Sequence, residues 1–306
     1  MDLGVVGVGA MGVNHARIYS ELKEVKNLYI YDIDQNKTKE IAELYDANIC
    51  SSYDELLKSV EAVNVCVPTH FHYGFAKKSI EKNIPTLIEK PLCNNHFEAQ
   101  KIMEIIPKGL IVGVGHIERF NPIIPKILNI VKNPLYVEIN RHNPDSARIK
   151  DSTVIEDLMI HDIDIVFNNL FPEKYEKINN MGNADIASCQ VKFKNSTVHI
   201  SASRKASKKI RRIYIEEEER TIEADLMNQE IYVFRKPTNL QSDSRQYLQE
   251  NVIEKILINK LEPLKTELNK FIECIKNSSN FPVTPEQAAY NLQICDIIKE
   301  DLNLSI

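Results

Sequence analysis

Asp2-Leu-Gly-Val-Val-Gly-Val-Gly-Ala-Met-Gly12 sets the fold of this chain. Leu3 to Val6 is short, apolar and rich in valine, as a buried strand requires. It runs into Gly7-Val-Gly9-Ala-Met-Gly12, a Gly-x-Gly-x-x-Gly pattern, and Val13 to Leu22 then predicts a helix. Each glycine answers a separate need. Gly7 lets the chain turn sharply, Gly9 lets a pyrophosphate approach the backbone, and Gly12 lets the helix pack close to the strand. The helix N-terminus offers free N–H groups and the positive end of its dipole to the phosphates. Glycine-rich turns are common, so the context decides. The next apolar run, Asn27-Leu-Tyr-Ile-Tyr-Asp32, is a second strand ending in an acid 20 positions beyond Gly12. An acid there meets the ribose hydroxyls of NAD, and its charge opposes the 2′-phosphate of NADP. Ile33-Asp34 follows it, with no arginine. The competing interpretation is a surface turn with a capping aspartate.

Outward from this segment, strands and helices alternate. Helices are expected over Lys37 to Tyr45, Ser52 to Ser59, Tyr73 to Lys82 and Asn95 to Ile106. Strands are expected at Val63 to Val67, Thr86 to Ile88 and Leu110 to Val114. This rhythm means βαβ units and a parallel sheet, with ligands at the carboxyl ends of the strands. Gly7, Asp32, Pro68-Thr69, Glu89-Lys90 and Gly115-His116 fall on that one edge. After about residue 118 the rhythm changes. Val154 to Leu170 predicts an amphipathic helix, and five later stretches between Gln190 and Phe234 alternate apolar with polar, as strands of a half-exposed antiparallel sheet do. Residues 239–249 predict a loop. Two helices close the chain, the second opened by Thr284-Pro285. The fold class is therefore α/β: a Rossmann dinucleotide-binding domain over 1–118, then an α+β domain with a mostly antiparallel open sheet over 119–306. The final helix, about 284–303, is expected to pack back toward the first domain.

A length of 306 residues suits two domains. The net charge, 38 − 43 = −5, points away from nucleic acid and anionic membranes. No basic region with an apolar stretch precedes the first strand, and no apolar run approaches a membrane span. The six cysteines are scattered, without Cys-x-x-Cys or zinc-ligand spacing, so reduced thiols in a cytoplasmic protein are expected.

Two constellations carry chemistry. Glu89-Lys90-Pro91 follows a strand at the ligand edge; read alone it is an ordinary surface ion pair, but its position brings Lys90 to the nicotinamide end of a bound cofactor. Glu156-Asp157-Leu-Met-Ile-His161-Asp162-Ile-Asp164 puts Asp157 and His161 four apart, on one side of a helix. Read alone it is equally a helix with a capped acidic end and a satisfied histidine. A carboxylate and a histidine could hold zinc, but no third ligand is evident, so no metal is expected.

Together these segments resemble the glucose–fructose oxidoreductase / inositol dehydrogenase / MocA (Gfo/Idh/MocA) family over essentially the whole length. The resemblance rests on the order and spacing of Gly7-Val-Gly9-Ala-Met-Gly12, Val67-Pro-Thr-His-Phe-His72, Glu89-Lys90-Pro91 and Asp157-x-x-x-His161. Val114-Gly-His-Ile-Glu-Arg-Phe-Asn-Pro122, and Ile210-Arg-Arg-Ile leading to Thr221-Ile-Glu-Ala-Asp225, look most like the UDP-N-acetylglucosamine 3-dehydrogenase branch. One departure is Ser152-Thr-Val-Ile-Glu156, where the family often has glycines, so a different local entry to the helix is expected.

The resemblance implies an NAD-dependent dehydrogenase that oxidises a sugar secondary hydroxyl, at C3 of a UDP-N-acetylhexosamine. Lys90 and His161 are implied as catalytic: the histidine takes the hydroxyl proton and the ammonium stabilises the developing alkoxide. Cofactor contacts are implied for Gly7, Gly9, Ala10, Met11, Gly12, Asp32, Ile33, Pro68, Thr69, His72, Glu89 and Lys90. Substrate contacts are implied for Lys90, His116, Arg119, Asn121, Arg141, His142, Asp157 and His161; Arg148, Arg204 and Lys208 are further candidates for a diphosphate. For Arg119 an interdomain ion pair is the competing role. His15, His70, His96 and His199 are read as structural. The open sheet face needs covering, so a homodimer or homotetramer through the second domain is expected. The alternatives are a dehydrogenase of a free polyol such as inositol, and a non-catalytic NAD-sensing regulator.

Overall fold

The computed structural model describes residues 1–144, 152–236, 241–243, 246–248 and 252–304. The amino-terminal elements follow in order: β1 (Asp2–Val6), α1 (Ala10–Glu21), β2 (Asn27–Tyr31), α2 (Gln35–Tyr45), β3 (Asn48–Ile49), α3 (Tyr53–Ser59), β4 (Ala62–Val65), α4 (Thr69–Glu81), β5 (Thr86–Glu89), α5 (His96–Ile105) and β6 (Val112–Gly115). All six strands are parallel and lie in the order β3-β2-β1-β4-β5-β6. That is the Rossmann order, with its switch point between β1 and β4. The valine-rich strands are buried on both faces: Val5, Val63, Val65, Ile88 and Val114 are fully closed to solvent. Both helices at the ligand edge, α1 and α4, start earlier than their sequence signals suggest. The first turn of α1 is Ala10-Met11-Gly12 itself, and α4 begins at Thr69 behind Pro68 at its N-cap. Both shifts bring helix N-termini up to the ligand edge.

The middle of the chain forms a second unit. A short 3-10 turn, Ile117–Phe120, is followed by α6 (Ile123–Ile130) and β7 (Tyr136–His142). The predicted amphipathic helix over 154–170 is α7 (Ile160–Ile165) flanked by π-helical turns at Ile155–Met159 and Val166–Leu170. It is not amphipathic. Every residue of α7 is buried, its two aspartates included. Strands β8 (Lys177–Gly182), β9 (Ile186–Lys192), β10 (Thr197–Ser203), β11 (Ile210–Glu217), β12 (Arg220–Asp225) and β13 (Glu230–Arg235) come next. A two-stranded hairpin of β14 (Gln241–Asp243) and β15 (Gln246–Leu248) occupies part of the stretch expected as a loop, and β16 (Val252–Ile256) follows. Eight strands form one sheet, β16-β13-β12-β11-β7-β10-β9-β8, antiparallel except where β10 runs parallel to β7. Its alternation is that of a half-covered sheet. Val137, Ile139, Val198, Ile200, Ile213 and Ile215 are buried on one face, while Tyr136, Glu138, Tyr214 and Tyr232 point to the other.

Two helices close the chain, α8 (Pro263–Asn277) and α9 (Pro285–Asp301). The chain divides into two compact units, one of Met1–Phe120 with Glu262–Asp296 and one of Asn121–Leu261 with Ile297–Ile306. The first unit is thus not the continuous 1–118 expected from the change of rhythm. It recovers α8 and most of α9, because apolar surface on its sheet is filled from there. Phe281 occupies the space that a side chain at Gly113 would need, and packs tilted against Phe120 and edge-on against Phe271. Val114 N–H donates to the carbonyl of Val283.

Candidate active site

In the first unit the glycine loop is built as its spacing requires. Gly7 has φ of +86°, a conformation reserved for glycine, and a Cβ there would meet the backbone of Cys66 and Val67 at 2.7 Å. A Cβ on Gly12 would stand 1.8 Å from the Gly7 carbonyl oxygen. Gly9 differs from both: a Cβ there would meet nothing within 4 Å. Gly9 is also the N-cap of α1, with no side chain capping the helix, so the first-turn amides of Ala10, Met11 and Gly12 face an open cradle. The cradle fits a pyrophosphate. Asp32 accepts from Val8 N–H through Oδ2 at 2.6 Å and from Asp34 N–H through Oδ1 at 2.9 Å. These bonds lock its carboxylate beside the loop, and each oxygen retains lone-pair capacity for a ribose hydroxyl. Ile33 is 90% exposed next to it.

Pro68 is exposed and Thr69 half-buried at the N-terminus of α4. His72 is not on the surface with them. It is buried, with Nδ1 2.8 Å from the Pro91 carbonyl oxygen and Nε2 2.8 Å from that of Val67. Burial pushes its imidazole below the usual histidine range, against the pull of those carbonyls. His72 thus ties the loop after β5 to the end of β4 and contributes no surface to a ligand. Glu89 is also buried, whereas Lys90 is half-buried at the end of the same strand. Glu89 accepts from the Lys90 backbone N–H at 3.1 Å and lies 2.9 Å from His15 Nε2. Burial pushes this carboxyl up, but the hydrogen bond from His15 and the charge of Lys90 outweigh it and hold Glu89 below its ordinary range. His116 is buried beneath the edge, 3.4 Å from Asn291 Nδ2, and Arg119 is half-buried in the 3-10 turn.

In the second unit His161 sits on α7 at 9% exposure, one turn after Asp157, which is half-buried in the preceding π-helical turn. π-turns interrupting α-helices are frequent at functional sites. Arg141 and His142, neighbours in sequence, are on opposite faces of β7, since successive strand residues alternate. Arg141 is 1% exposed, and its guanidinium forks onto Asp162 of α7 at 2.8–3.1 Å. His142 lies on the uncovered face beside Ser201 Oγ at 2.8 Å, and burial lowers its imidazole below the usual range. Asn121 is buried and bonds to the Leu226 carbonyl and Ile123 N–H, so it closes a turn. Arg204 is buried and holds the Ser152 and Ala184 carbonyls and Asp185. Lys208 is exposed. Arg148 lies outside the described residues.

Glu156 is engaged from two sides. One oxygen accepts from the Thr153 N–H and hydroxyl, and the other meets Lys299 Nζ at 2.6 Å. Lys299 is a lysine at 2% exposure that no sequence signal marked, 143 residues away on α9. Among the described residues no cluster of histidine, cysteine and carboxylates has the form of a metal site, and no helix is long and apolar enough to cross a membrane.

Residues 1–116 match the Gfo/Idh/MocA family, described as an oxidoreductase family with an NAD-binding Rossmann fold. The chain is 29% identical over 245 residues to the UDP-N-acetylglucosamine 3-dehydrogenase of Acidithiobacillus ferrooxidans, covering 77% of each protein. It is 26% identical over 214 residues to an inositol 2-dehydrogenase of Cereibacter sphaeroides, covering 66% of this chain and 60% of that protein. A solved structure of the Acidithiobacillus ferrooxidans enzyme superposes with a TM-score of 0.89 at 24% identity, covering 99% of this chain and 97% of that one. A levoglucosan dehydrogenase in complex with NADH and levoglucosan superposes with a TM-score of 0.82 at 17% identity, covering 99% and 97%. At those identities the structural likeness is one of fold.

Proposed function

We propose that this chain, an NAD-binding oxidoreductase of the Gfo/Idh/MocA family, oxidises a secondary hydroxyl of a nucleotide sugar, C3 of a UDP-N-acetylhexosamine, to the ketone. The observation that carries the substrate class is the extent of the sequence likeness. It runs over 77% of the chain with the UDP-N-acetylglucosamine 3-dehydrogenase and so reaches well beyond the nucleotide-binding domain. NAD, when bound, accepts the hydride. The chain's own residues then have three tasks. The amides of Ala10 and Met11 at the start of α1, with Asp32, hold the cofactor by its pyrophosphate and ribose. Lys90 donates a hydrogen bond to the reacting oxygen and stabilises negative charge on it. His161 accepts the hydroxyl proton, the role suited to an imidazole near neutral pH. Asp157, one turn before His161, orients the sugar or the histidine.

Among the residues read as substrate ligands, Lys90, Arg119, Asp157 and His161 keep that role in this proposal. Arg141, Asn121 and Arg204 do not, since each is buried and engaged inside its own unit. His116 and His142 are assigned no substrate role here.

Absorbance at the NADH band, after mixing the protein with NAD and UDP-N-acetylglucosamine beside inositol and glucose, tests the reading. Signal with the UDP-sugar alone is expected. The matches to inositol 2-dehydrogenases favour a second reading, a free polyol, and signal with inositol alone would establish it. The uncovered face of the eight-stranded sheet, with Tyr136, Tyr214 and Tyr232 half-exposed, supports a homodimer or homotetramer through that face. A monomer mass by light scattering at micromolar concentration would overturn this assembly.

A further inference from the structure

Behind Lys90 the first unit buries a polar chain that a dinucleotide fold does not need for its core. The Tyr19 hydroxyl donates to Asn64 Oδ1 at 2.9 Å. Asn64 Nδ2 in turn faces His15 Nδ1 at 2.7 Å, and His15 Nε2 faces Glu89 Oε1 at 2.9 Å. An amide NH2 group only donates, so Nδ1 accepts and Nε2 carries the hydrogen that goes to Glu89. Tyr19, Asn64 and His15 are fully closed to solvent. The chain ends on a carboxylate whose other oxygen receives the Lys90 N–H. Gly115 on β6 makes room for that carboxylate, since a Cβ there would stand 3.2 Å from its carbon.

A second carboxyl lies in the same interior. Glu267 of α8 is 0% exposed, and neither of its oxygens has a hydrogen-bond partner. It is within electrostatic reach of Glu89, Tyr19 and Cys66. The titratable groups facing this interior are therefore His15 and Tyr19 from α1, Cys66 after β4, His72 from α4, Lys90 after β5 and Glu267 from α8. Two carboxylates in one dry interior do not both ionise when only one has donors.

We propose that Glu89, held by His15, is the positioning residue that seats Lys90, and that Glu267 completes the cluster as an uncharged carboxylic acid. The assignment of roles follows from the donors: Glu89 receives two hydrogen bonds and feels the charge of Lys90, and Glu267 receives none. Burial, and then the charge of Glu89, push the Glu267 carboxyl well above its ordinary range, in agreement. The proposal rests on the reading of Lys90 as the group that stabilises charge on the reacting oxygen. His15 thereby gains a role toward the chemistry, three residues past the glycine pattern.

Two measurements on the full chain test this, neither of which needs turnover. In the first, the pH dependence of Lys90 acetylation by acetic anhydride, followed by peptide mass spectrometry, gives the titration midpoint of Lys90. Glu89→Gln is expected to lower that midpoint by about one pH unit, through loss of the adjacent opposite charge, and Glu267→Gln to leave it in place. No shift in Glu89→Gln, or an equal shift in Glu267→Gln, would overturn the proposal. In the second, urea denaturation of wild type and Glu267→Gln is compared across pH. A group whose folded state holds its proton above the unfolded range loses stability as pH rises, so wild type falls relative to the glutamine variant. The ratio of their folding constants should grow about tenfold per pH unit above the ordinary glutamate range of about 4.3, up to the folded midpoint. A pH-independent ratio would overturn it. A protein inert toward UDP-sugars with the expected Lys90 shifts would sink the substrate reading alone.

Discussion

The candidate site residues of the two units are made of different material. In the first unit the ligand edge is mostly backbone: amides at the start of α1, a loop that tolerates only glycine at Gly7 and Gly12, and one carboxylate, Asp32, fixed by two N–H groups. In the second unit the corresponding residues are side chains on a buried helix, kept there by ion pairs. Arg141 holds Asp162 and Lys299 holds Glu156. The difference teaches which residues are available to a ligand. On α7 and β7 most of the charged residues serve the interior, because a helix buried all round must satisfy its own polar groups. In the glycine loop the residues that matter to a ligand are those with nothing to bury.

This contrast can be broken first at its chemistry. His161→Ala is expected to lower kcat by about 10²–10⁴-fold and Lys90→Ala by about 10²–10³-fold. NADH affinity, read by fluorescence titration, should stay within a few-fold in His161→Ala; its collapse would mean that α7 serves the first unit's fold rather than the reaction. Next comes the ion pair. Arg141→Ala leaves the Asp162 carboxylate buried without its guanidinium and should lose about 3–5 kcal/mol by urea denaturation. A raised KM at unchanged stability would instead make Arg141 a substrate ligand. The glycines sharpen the other side. Gly12→Ala forces a Cβ onto the Gly7 carbonyl and should lose about 1–3 kcal/mol. Gly9→Ala meets no atom of the protein, so its stability should stay within about 0.5 kcal/mol while NAD binding weakens about tenfold, or 1.4 kcal/mol. The smallest effect is expected at Asp32→Ala, which should weaken NAD by about tenfold or less and narrow its preference over NADP, by calorimetric titration of both.

The legibility of the sequence follows the same division. The parallel sheet with five of its six strands, the glycine loop and the acid after β2 are readable, because period, spacing and glycine act locally; the two-residue β3 and the strand order are not. The second sheet was readable as alternating strands, but not the parallel pairing of β10 with β7, which no local pattern encodes. The sequence signals set the starts of α1 and α4 three and four residues late, since glycine and proline mask a helix start when they occupy its first turn or cap. The substrate candidates fared differently from the cofactor candidates. Arg141 and His142 looked like one feature because they are adjacent, yet strand geometry sends them to opposite faces. Lys299 and Glu267 could not be found at all, being exceptional only for their burial, which depends on segments distant in sequence. His15 and Glu89 were visible as residues, and their link across 74 positions was not.

The first unit is closed by residues 262–296, after Asn121–Leu261 of the second have been made. A ribosome therefore releases the glycine loop and all six parallel strands long before Phe281 arrives to cover Gly113, and before Glu267 joins the interior behind Lys90. During that interval the nucleotide-binding half is unfinished, and the other half has its complete sheet but still waits for Ile297–Ile306, where Lys299 meets Glu156, so neither unit is whole until the chain is. A gene cut after residue 120 would express a domain lacking one wall.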